Sequence, residues 1–230
     1  LRAHHDVRYL WHQTGFQDLV SMSNVLIVPT KKQLEFLVLN GVCKPIYVLP
    51  FGINRDEIHN TVPWKDRGID LVSFVNDHPA RNLKQVLAAQ KNLRARGFIA
   101  ENNLGLSRLE LVRKLNNSKF MLLSSLTEAS GSRIMLEAIE AGCSPIALSE
   151  CETAGEVLSE HHCGALVESG MSLRMPMKSV SRPFGVVRKL TDSLTDILES
   201  APRVSVNGIL KGYDFNEESS YLCKILRDIS

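Results

Sequence analysis

The chain has 230 residues, 44% of them hydrophobic and 23% charged, and its 27 basic and 25 acidic residues leave a formal net charge of +2. This composition is ordinary for a soluble protein with a buried core, and the length allows one large domain or two small ones. The near-neutral charge gives no support to nucleic-acid binding, and no apolar run approaches the ~18 residues of a membrane span.

The cysteines argue against a disulfide framework and against a metal site. Their number is odd and their spacing does not match metal ligands, so they are interpreted as reduced thiols of a cytoplasmic protein. They are Cys43, Cys143, Cys151, Cys163 and Cys223. The cluster His161-His162-Cys163 lacks a second pair of ligands, so no zinc site is predicted. No signal peptide is recognisable, and a first residue of Leu1 instead of Met favours a fragment.

The first quarter of the chain is expected to form a strand–helix–strand unit. In chain order its parts are a polar helix or loop (4–23), a strand (24–29), a helix capped by Thr30 and ended by Gly41, and a strand (45–49). The second strand runs into a Pro-Phe-Gly turn, where Gly52 is expected to supply a positive φ. The polar stretch 54–68 is interpreted as a linker.

After the linker, strands and helices alternate. The predicted elements are a strand (69–75), a helix (83–96), a helix opened by a Ser107–Glu110 capping box (107–115), a strand (119–125), a helix (132–141), a strand (144–149), a helix opened by a Thr153–Glu156 capping box, a strand (164–168), a Met-rich loop (169–181) and two helices (183–200 and 216–228). This alternation predicts an α/β fold with a parallel sheet covered by helices on both faces.

The segment from Ser124 to Ser149 is the most informative for function. An apolar strand ends in a loop of small residues that contains Glu128, Gly131 and Ser132, and the next helix carries Glu137. A helix start of this kind offers unpaired N–H groups and the positive end of the helix dipole to an anion. Because two acids lie beside it, the pattern suits a ligand with both phosphates and hydroxyls, such as a nucleotide sugar.

Several motifs together resemble the retaining glycosyltransferases of the GT-B fold, the group related to glycogen synthase and bacterial mannosyltransferases. They are VLPFGIN (48–54), Pro-x-Arg-Asn (79–82), SLTEASGSRIMLEAIEAGCSPIAL (125–148), ETAGEV (152–157) and YDFNEES (213–219). The resemblance implies a Rossmann-like parallel sheet and four parts: the end of an acceptor-type domain (1–53), the linker (54–68), a donor-binding domain (69–212) and a C-terminal helix that returns to the N-terminal part (213–230).

The resemblance also implies roles for individual residues. Glu137 would bind the ribose hydroxyls, and Glu128, which lies one residue upstream of the family register, would hold the donor sugar as a catalytic group. Arg81 stands in for the family lysine and would neutralise the diphosphate as the second catalytic group. The remaining donor-binding residues would be Gly131, Ser132, Arg133, Asn76, Gly52 and Thr153. Asn76 departs from the family, which has a cationic Gly-Arg pair there.

The expected function is therefore transfer of a sugar, with retention, from a UDP-, GDP- or ADP-sugar to the hydroxyl of a glycan, lipid or protein acceptor. No cofactor or metal is required, and association with a membrane surface or a partner chain is left open. Residues 97–107 are too few for the extra strand and helix of the family, and most of an acceptor domain is missing, so the chain is expected to be a donor-binding portion.

Three alternatives stay open on the sequence. The first is a degenerate, non-catalytic module that binds a partner, which Asn76 favours. The second is a nucleotide-sugar epimerase of the same fold. The third concerns one pair of residues only: Arg133 and Glu137 are spaced i, i+4 and could form an exposed helical ion pair without any ligand.

Overall fold

The computed structural model describes residues 1–2, 7–77, 81–126, 133–160, 162–169, 183–200 and 214–228. It contains two parallel sheets, a small one of two strands and a large one of five. Hydrophobic clusters lie on both faces of the large sheet, each between the strands and a layer of helices. The fold is thus the predicted α/β class with a Rossmann-like parallel sheet.

The small sheet is the predicted strand–helix–strand unit. Strands β1 (Leu26–Val28) and β2 (Ile46–Val48) pair in parallel, and helix α3 (Lys31–Leu39) connects them. Thr30 is its N-cap, as predicted, because the hydroxyl accepts the N–H of Gln33. Two short helices, α1 (Val7–Leu10) and α2 (Phe16–Met22), occupy the polar region that precedes β1.

The large sheet has the order β4-β3-β5-β6-β7, with every pair parallel. Its strands are β3 (Ile69–Ser73), β4 (Ala100–Asn102), β5 (Ser118–Leu123), β6 (Ser144–Leu148) and β7 (Ala165–Val167). Four of the five were predicted. The fifth, β4, was not predicted; it lies in segment 97–107, which was judged too short for an additional strand and helix, and of its three residues only Ala100 is buried.

Helices α5, α6 and α7 cover one face of this sheet, and α4 and α8 cover the other. They are α4 (Leu83–Ala95), α5 (Arg108–Asn116), α6 (Arg133–Glu140), α7 (Glu152–Glu160) and α8 (Pro183–Ser200). Successive side chains of β5 point to opposite faces, so Phe120 packs on the α4 side and Met121 on the α5–α7 side. The predicted capping box of α5 is present, with the Ser107 hydroxyl and the Glu110 carboxylate each bonded to the other residue's N–H.

Part of the predicted linker is held inside the protein by Arg67, which is only 4% exposed. Its guanidinium donates to five oxygens: Asn60 Oδ1 and the carbonyls of Val62, Leu115, Ser118 and Ala141. The Leu115 and Ala141 carbonyls lie at the C-terminal ends of α5 and α6, where the helix dipole favours a cation. Segment 54–68 is therefore fastened to the large sheet and its helices.

The last helix, α9 (Phe215–Asp228), packs against the small sheet, with Ile225 and Leu222 in contact with β1 and β2 residues. At its start the Phe215 N–H donates to Ile53 O at 3.1 Å. The buried Glu218 carboxylate of α9 accepts a hydrogen bond from the Gly52 N–H and forms an ion pair with Arg2.

Gly52 does not have the positive φ that the turn suggested. Instead it is a point of close backbone approach. A Cβ at this position would lie 2.8 Å from Asp214 O and 2.7 Å from Phe215 Cα. The glycine is therefore needed because α9 begins against it, and the predicted reason was wrong.

The second predicted capping box was also wrong. Helix α7 begins at Glu152, so Thr153 is inside the helix and cannot be its N-cap. The Glu156 carboxylate instead accepts the N–H groups of Lys31 at 2.9 Å and Lys32 at 3.1 Å. It thus caps the N-terminus of α3 and joins the small sheet to the large one.

Candidate functional site

The order of the large sheet contains a topological switch point between β3 and β5. The chain leaves β3 through α4 to reach β4 on one side, and it then crosses through α5 to β5 on the other side. In open parallel sheets, ligands bind outside the carboxyl ends of the strands at such a point. A cleft lies there, which we call the switch-point cleft. Its lining residues are Phe74, Val75, Arg81, Met121, Leu122, Leu123, Ser124, Ser125 and Ile134.

The turn that carries Arg81 is fastened to the end of β5. The Ser124 hydroxyl donates to Arg81 O at 2.6 Å, and Asn82 Nδ2 donates to Ser124 O at 2.8 Å. Asn82 adopts a left-handed conformation at φ +57°, which an asparagine tolerates better than most residues. The half-buried Arg81 guanidinium has no acidic partner among the described residues, so it is a cation available at the cleft.

Glu137 lies on α6, one turn after the cleft residue Ile134 and on the same side of the helix. The residue is 8% exposed. Its Oε1 accepts a hydrogen bond of 2.8 Å from Arg108 Nη1 at the start of α5. Within the described residues no donor reaches its Oε2, so one carboxylate oxygen remains for a further donor.

Arg108 links Glu137 to segment 54–68, because its Nε also donates to the Glu57 carboxylate at 3.0 Å. Partial burial alone would lower the pKa of the Arg108 guanidinium, but the hydrogen bonds and charges of Glu137 and Glu57 outweigh this effect and raise it. Arg108 was not predicted as part of the site. Arg108 and Glu137 are 29 residues apart in the sequence, so no local spacing pattern could have predicted their contact.

The ion pair between Arg133 and Glu137 that the helical spacing allowed is not formed. Arg133 is exposed and its guanidinium carbon lies 5.6 Å from the centroid of the Phe51 ring, in a cation–π contact. Arg133 thus reaches from the start of α6 to the turn that contains Gly52. Arg133 and Gly52, both predicted to bind the donor, therefore lie where the start of α6 meets the turn that follows the small sheet.

The other predicted residues differ in position. Asn76 is exposed and follows the cleft residue Val75 directly. Thr153 is fully buried in α7, with its hydroxyl 3.6 Å from Cys151 Sγ. Glu128, Gly131 and Ser132 lie outside the described residues, as does most of the Met-rich loop.

No group of His, Cys, Asp or Glu side chains that could hold a metal ion occurs among the residues that the structure describes. Within the same residues, every helix is too short or too polar to cross a membrane. Burial raises the pKa of the Cys143 thiol to about 12 and that of Cys163 to about 11. These two thiols are therefore protonated near neutral pH and unsuited to act as nucleophiles or metal ligands.

No protein-family profile and no curated protein sequence matches the chain. Solved structures do. Sucrose-phosphate synthase from Thermosynechococcus elongatus is 14% identical with a TM-score of 0.69, over 99% of this chain and 67% of that one. Anabaena HepE, solved with UDP and glucose, is 10% identical with a TM-score of 0.72, over 99% and 71%. The pneumococcal O-GlcNAc transferase GtfA, solved with UDP and GlcNAc, is 12% identical with a TM-score of 0.63, over 96% and 48%.

The chain spans about half to two thirds of the length of these structures. At such low identity the likeness concerns the fold. The matched proteins are GT-B-type glycosyltransferases, and the resemblance expected from the motifs is confirmed at that level. The chain has a shortened fold of the GT-B glycosyltransferase type.

Proposed function

We propose that the chain is the donor-binding portion of a retaining glycosyltransferase and that it binds a nucleotide diphosphate sugar in the switch-point cleft. The observation that carries the proposal is the position of Arg81, a cation at the carboxyl ends of β3 and β5 that has no acidic partner among the described residues. A cation at a switch point favours the binding of a diphosphate, because it offsets the negative charge of the phosphates. The structures of similar fold that were solved with UDP make a uridine nucleotide the first ligand to test.

Glu137 supports the same proposal from the other end of the ligand. The Glu137 Oε2 atom, which no donor of the described part of the chain reaches, can accept the hydroxyls of a ribose, and Arg108 holds the carboxylate in place through Oε1. The ribose would then lie beside α6 and the diphosphate beside Arg81. GDP- and ADP-sugars remain candidates, since no described contact selects a base.

In the proposed reaction, the bond between the anomeric carbon and the diphosphate oxygen breaks, and the electron pair leaves with the diphosphate. The acceptor hydroxyl oxygen bonds to the anomeric carbon on the same face, and its proton passes to the departing phosphate. Arg81 would stabilise the charge that develops on the leaving group. Glu128, Gly131 and Ser132 keep the roles proposed for them from the motifs, at the sugar and the phosphates.

Thermal unfolding with and without UDP tests the proposal. Ligand at ~100 times its Kd adds about 2.7 kcal/mol of stability, which corresponds to a Tm rise of about 5–10 °C for a chain of this size. The variant Glu137→Gln should lose most of this rise. Glu140→Gln is the matched control, because Glu140 lies on the same helix and its carboxylate forms an ion pair of 3.2 Å with Arg55. Glu140 is not one of the residues that line the cleft. An equal rise in Glu137→Gln and the unsubstituted chain would refute the ribose role.

A second candidate is a binding module without catalytic activity. Asn76 favours it, because an exposed neutral side chain stands where the family has a cation. The two candidates differ in their ligands. If UDP, GDP and ADP all leave the Tm unchanged, the module is the better description.

A further inference from the structure

The edge strand β4 ends in Asn102, whose side chain is bonded to the wall of the switch-point cleft. The Val75 N–H donates to Asn102 Oδ1 at 2.9 Å, and Asn102 Nδ2 donates back to Val75 O at 3.0 Å. Val75 lies two residues beyond the end of β3. The amide group thus takes the place of a neighbouring strand and holds the backbone after β3 from both of its polar groups.

The orientation of this amide is determined by a buried chain of hydrogen bonds. Gln90 Nε2 donates to Ser73 Oγ at 3.0 Å, and Ser73 Oγ donates to Asn102 Oδ1 at 2.8 Å. Gln90 and Ser73 are both completely buried. A reversed amide would place its NH₂ group against the Val75 N–H and its oxygen against the Val75 carbonyl, so the contacts allow one orientation only.

The network supports the part of the cleft that a diphosphate would meet. Val75 lines the cleft, and the next residue, Asn76, is exposed and makes no hydrogen bond to another described residue. Arg81 enters the same cleft from the following turn. The network is not fully satisfied, because the buried Gln90 Oε1 has no hydrogen-bond partner among the described residues. Such a group lowers stability, so the network at this strand end points to positioning of the loop and not to a gain in stability.

We propose that Asn102 is a positioning residue that sets the Val75–Asn76 backbone against the terminal phosphate of the bound nucleotide. The proposal rests on the proposed function, since it concerns the same cleft. Asn102 would not touch the ligand itself. It would act by keeping the phosphate-facing backbone in place before the ligand arrives, which reduces the ordering cost of binding.

The test compares the affinities of UDP and UMP, because only UDP carries the second phosphate. In the unsubstituted chain we expect UDP to bind about tenfold more tightly, which corresponds to ~1.4 kcal/mol and is the size of one hydrogen bond to a charged group. In Asn102→Ala this ratio should fall severalfold without reaching one, because Arg81 remains at the cleft, while the Kd of UMP changes by less than about twofold. Isothermal titration calorimetry measures both.

Asn103→Ala is the matched control. Asn103 is the next residue, and its side chain bonds to Glu101 at 3.3 Å and not to the loop after β3. Both affinities should be unchanged in this variant. Asn102→Asp keeps the acceptor for the Val75 N–H and the shape of the side chain, so this variant replaces Asn102→Ala in the test if Asn102→Ala does not fold. It loses the donor to Val75 O, and its UDP-to-UMP ratio should also fall.

The outcomes separate the two proposals. If the unsubstituted chain binds neither UDP nor UMP, the proposed function and this inference both fail. If it binds UDP and the ratio of the UDP and UMP affinities is unchanged in Asn102→Ala, only the inference fails. A variant that weakens UDP and UMP equally would also overturn it, because that result indicates general damage to the domain.

Discussion

Replacing Arg67 by methionine should destabilise the protein more than any exposed arginine does. The Arg67 guanidinium makes three hydrogen bonds of 2.8 Å or less, to Ser118 O, Ala141 O and Asn60 Oδ1, and two longer ones. Burial lowers the pKa of this group, but its ordinary pKa is so high that it stays charged. No carboxylate of a described residue contacts it, so its charge is compensated by carbonyl dipoles and helix C-termini.

The magnitude follows from these contacts. A hydrogen bond to a charged group contributes ~1.5–3 kcal/mol, and the three short bonds together give at least ~4.5 kcal/mol. The cost of burying the guanidinium reduces this gain, while the carbonyls left without a donor increase the loss in the variant. We therefore expect Arg67→Met to lower the free energy of unfolding by about 3–5 kcal/mol. Arg67→Lys should be intermediate, since an ammonium has three donors and no planar fork.

Urea unfolding followed by circular dichroism measures the loss. With an m-value of about 2–3 kcal/mol/M, the midpoint should fall by about 1–2.5 M. Arg113→Met is the control, because Arg113 is exposed on α5 and its removal should cost less than about 0.5 kcal/mol. Equal midpoints for the two variants would show that the carbonyl cluster around Arg67 contributes nothing.

Three further predictions concern other sites. Gly52→Ala should lower the free energy of unfolding by ~1–3 kcal/mol, because the added Cβ would clash with the backbone of Asp214 and Phe215. Gly185→Ala in α8 should raise it by ~0.5–1 kcal/mol, because the space around the added Cβ is open. Thermal unfolding measures both changes. The thiol of Cys143 should react with a thiol reagent at about pH 8 only after unfolding, whereas the exposed Cys43 and Cys223 react in the folded chain. Peptide mass spectrometry distinguishes the sites, and rapid labelling of Cys143 itself in the folded chain would contradict its burial. The pKa of Glu101 is lowered, chiefly by its hydrogen bond from Lys114, so this pair stabilises the fold above the unfolded pKa, and the contribution is lost over the acidic interval in which the pH falls from the unfolded pKa through the lowered one. Glu101→Gln should therefore lose less stability over that interval, and a parallel pH dependence in both chains would contradict the assignment.

The sequence predicted best where apolar runs are long and end clearly. Strands β5 and β6 and helix α6 between them agree with the prediction to within two residues, because each buries most of its length. Strand β4 was missed because its three residues include two polar ones and have no period that distinguishes them from a loop. Strand β4 lies at the edge of the sheet and has a neighbouring strand on one side only, so it needs little apolar surface.

The candidate site was predictable only in part. The position of Arg81 beside the strand ends follows from the order of elements and from the Pro-x-Arg-Asn turn. The partners of Arg67 were not predictable, since four of them are backbone carbonyls that any residue would supply. The partners of Glu156 and Asn102 are likewise backbone groups of distant residues. Contacts of this type depend on tertiary packing and leave no signature in the spacing of residue types.

The capping of α3 by Glu156 has a consequence for the whole molecule. Two parallel strands bury too little surface to persist alone, so the small sheet depends on neighbours such as α7 and α9 for its stability. Both sheets should consequently denature together, in one cooperative transition.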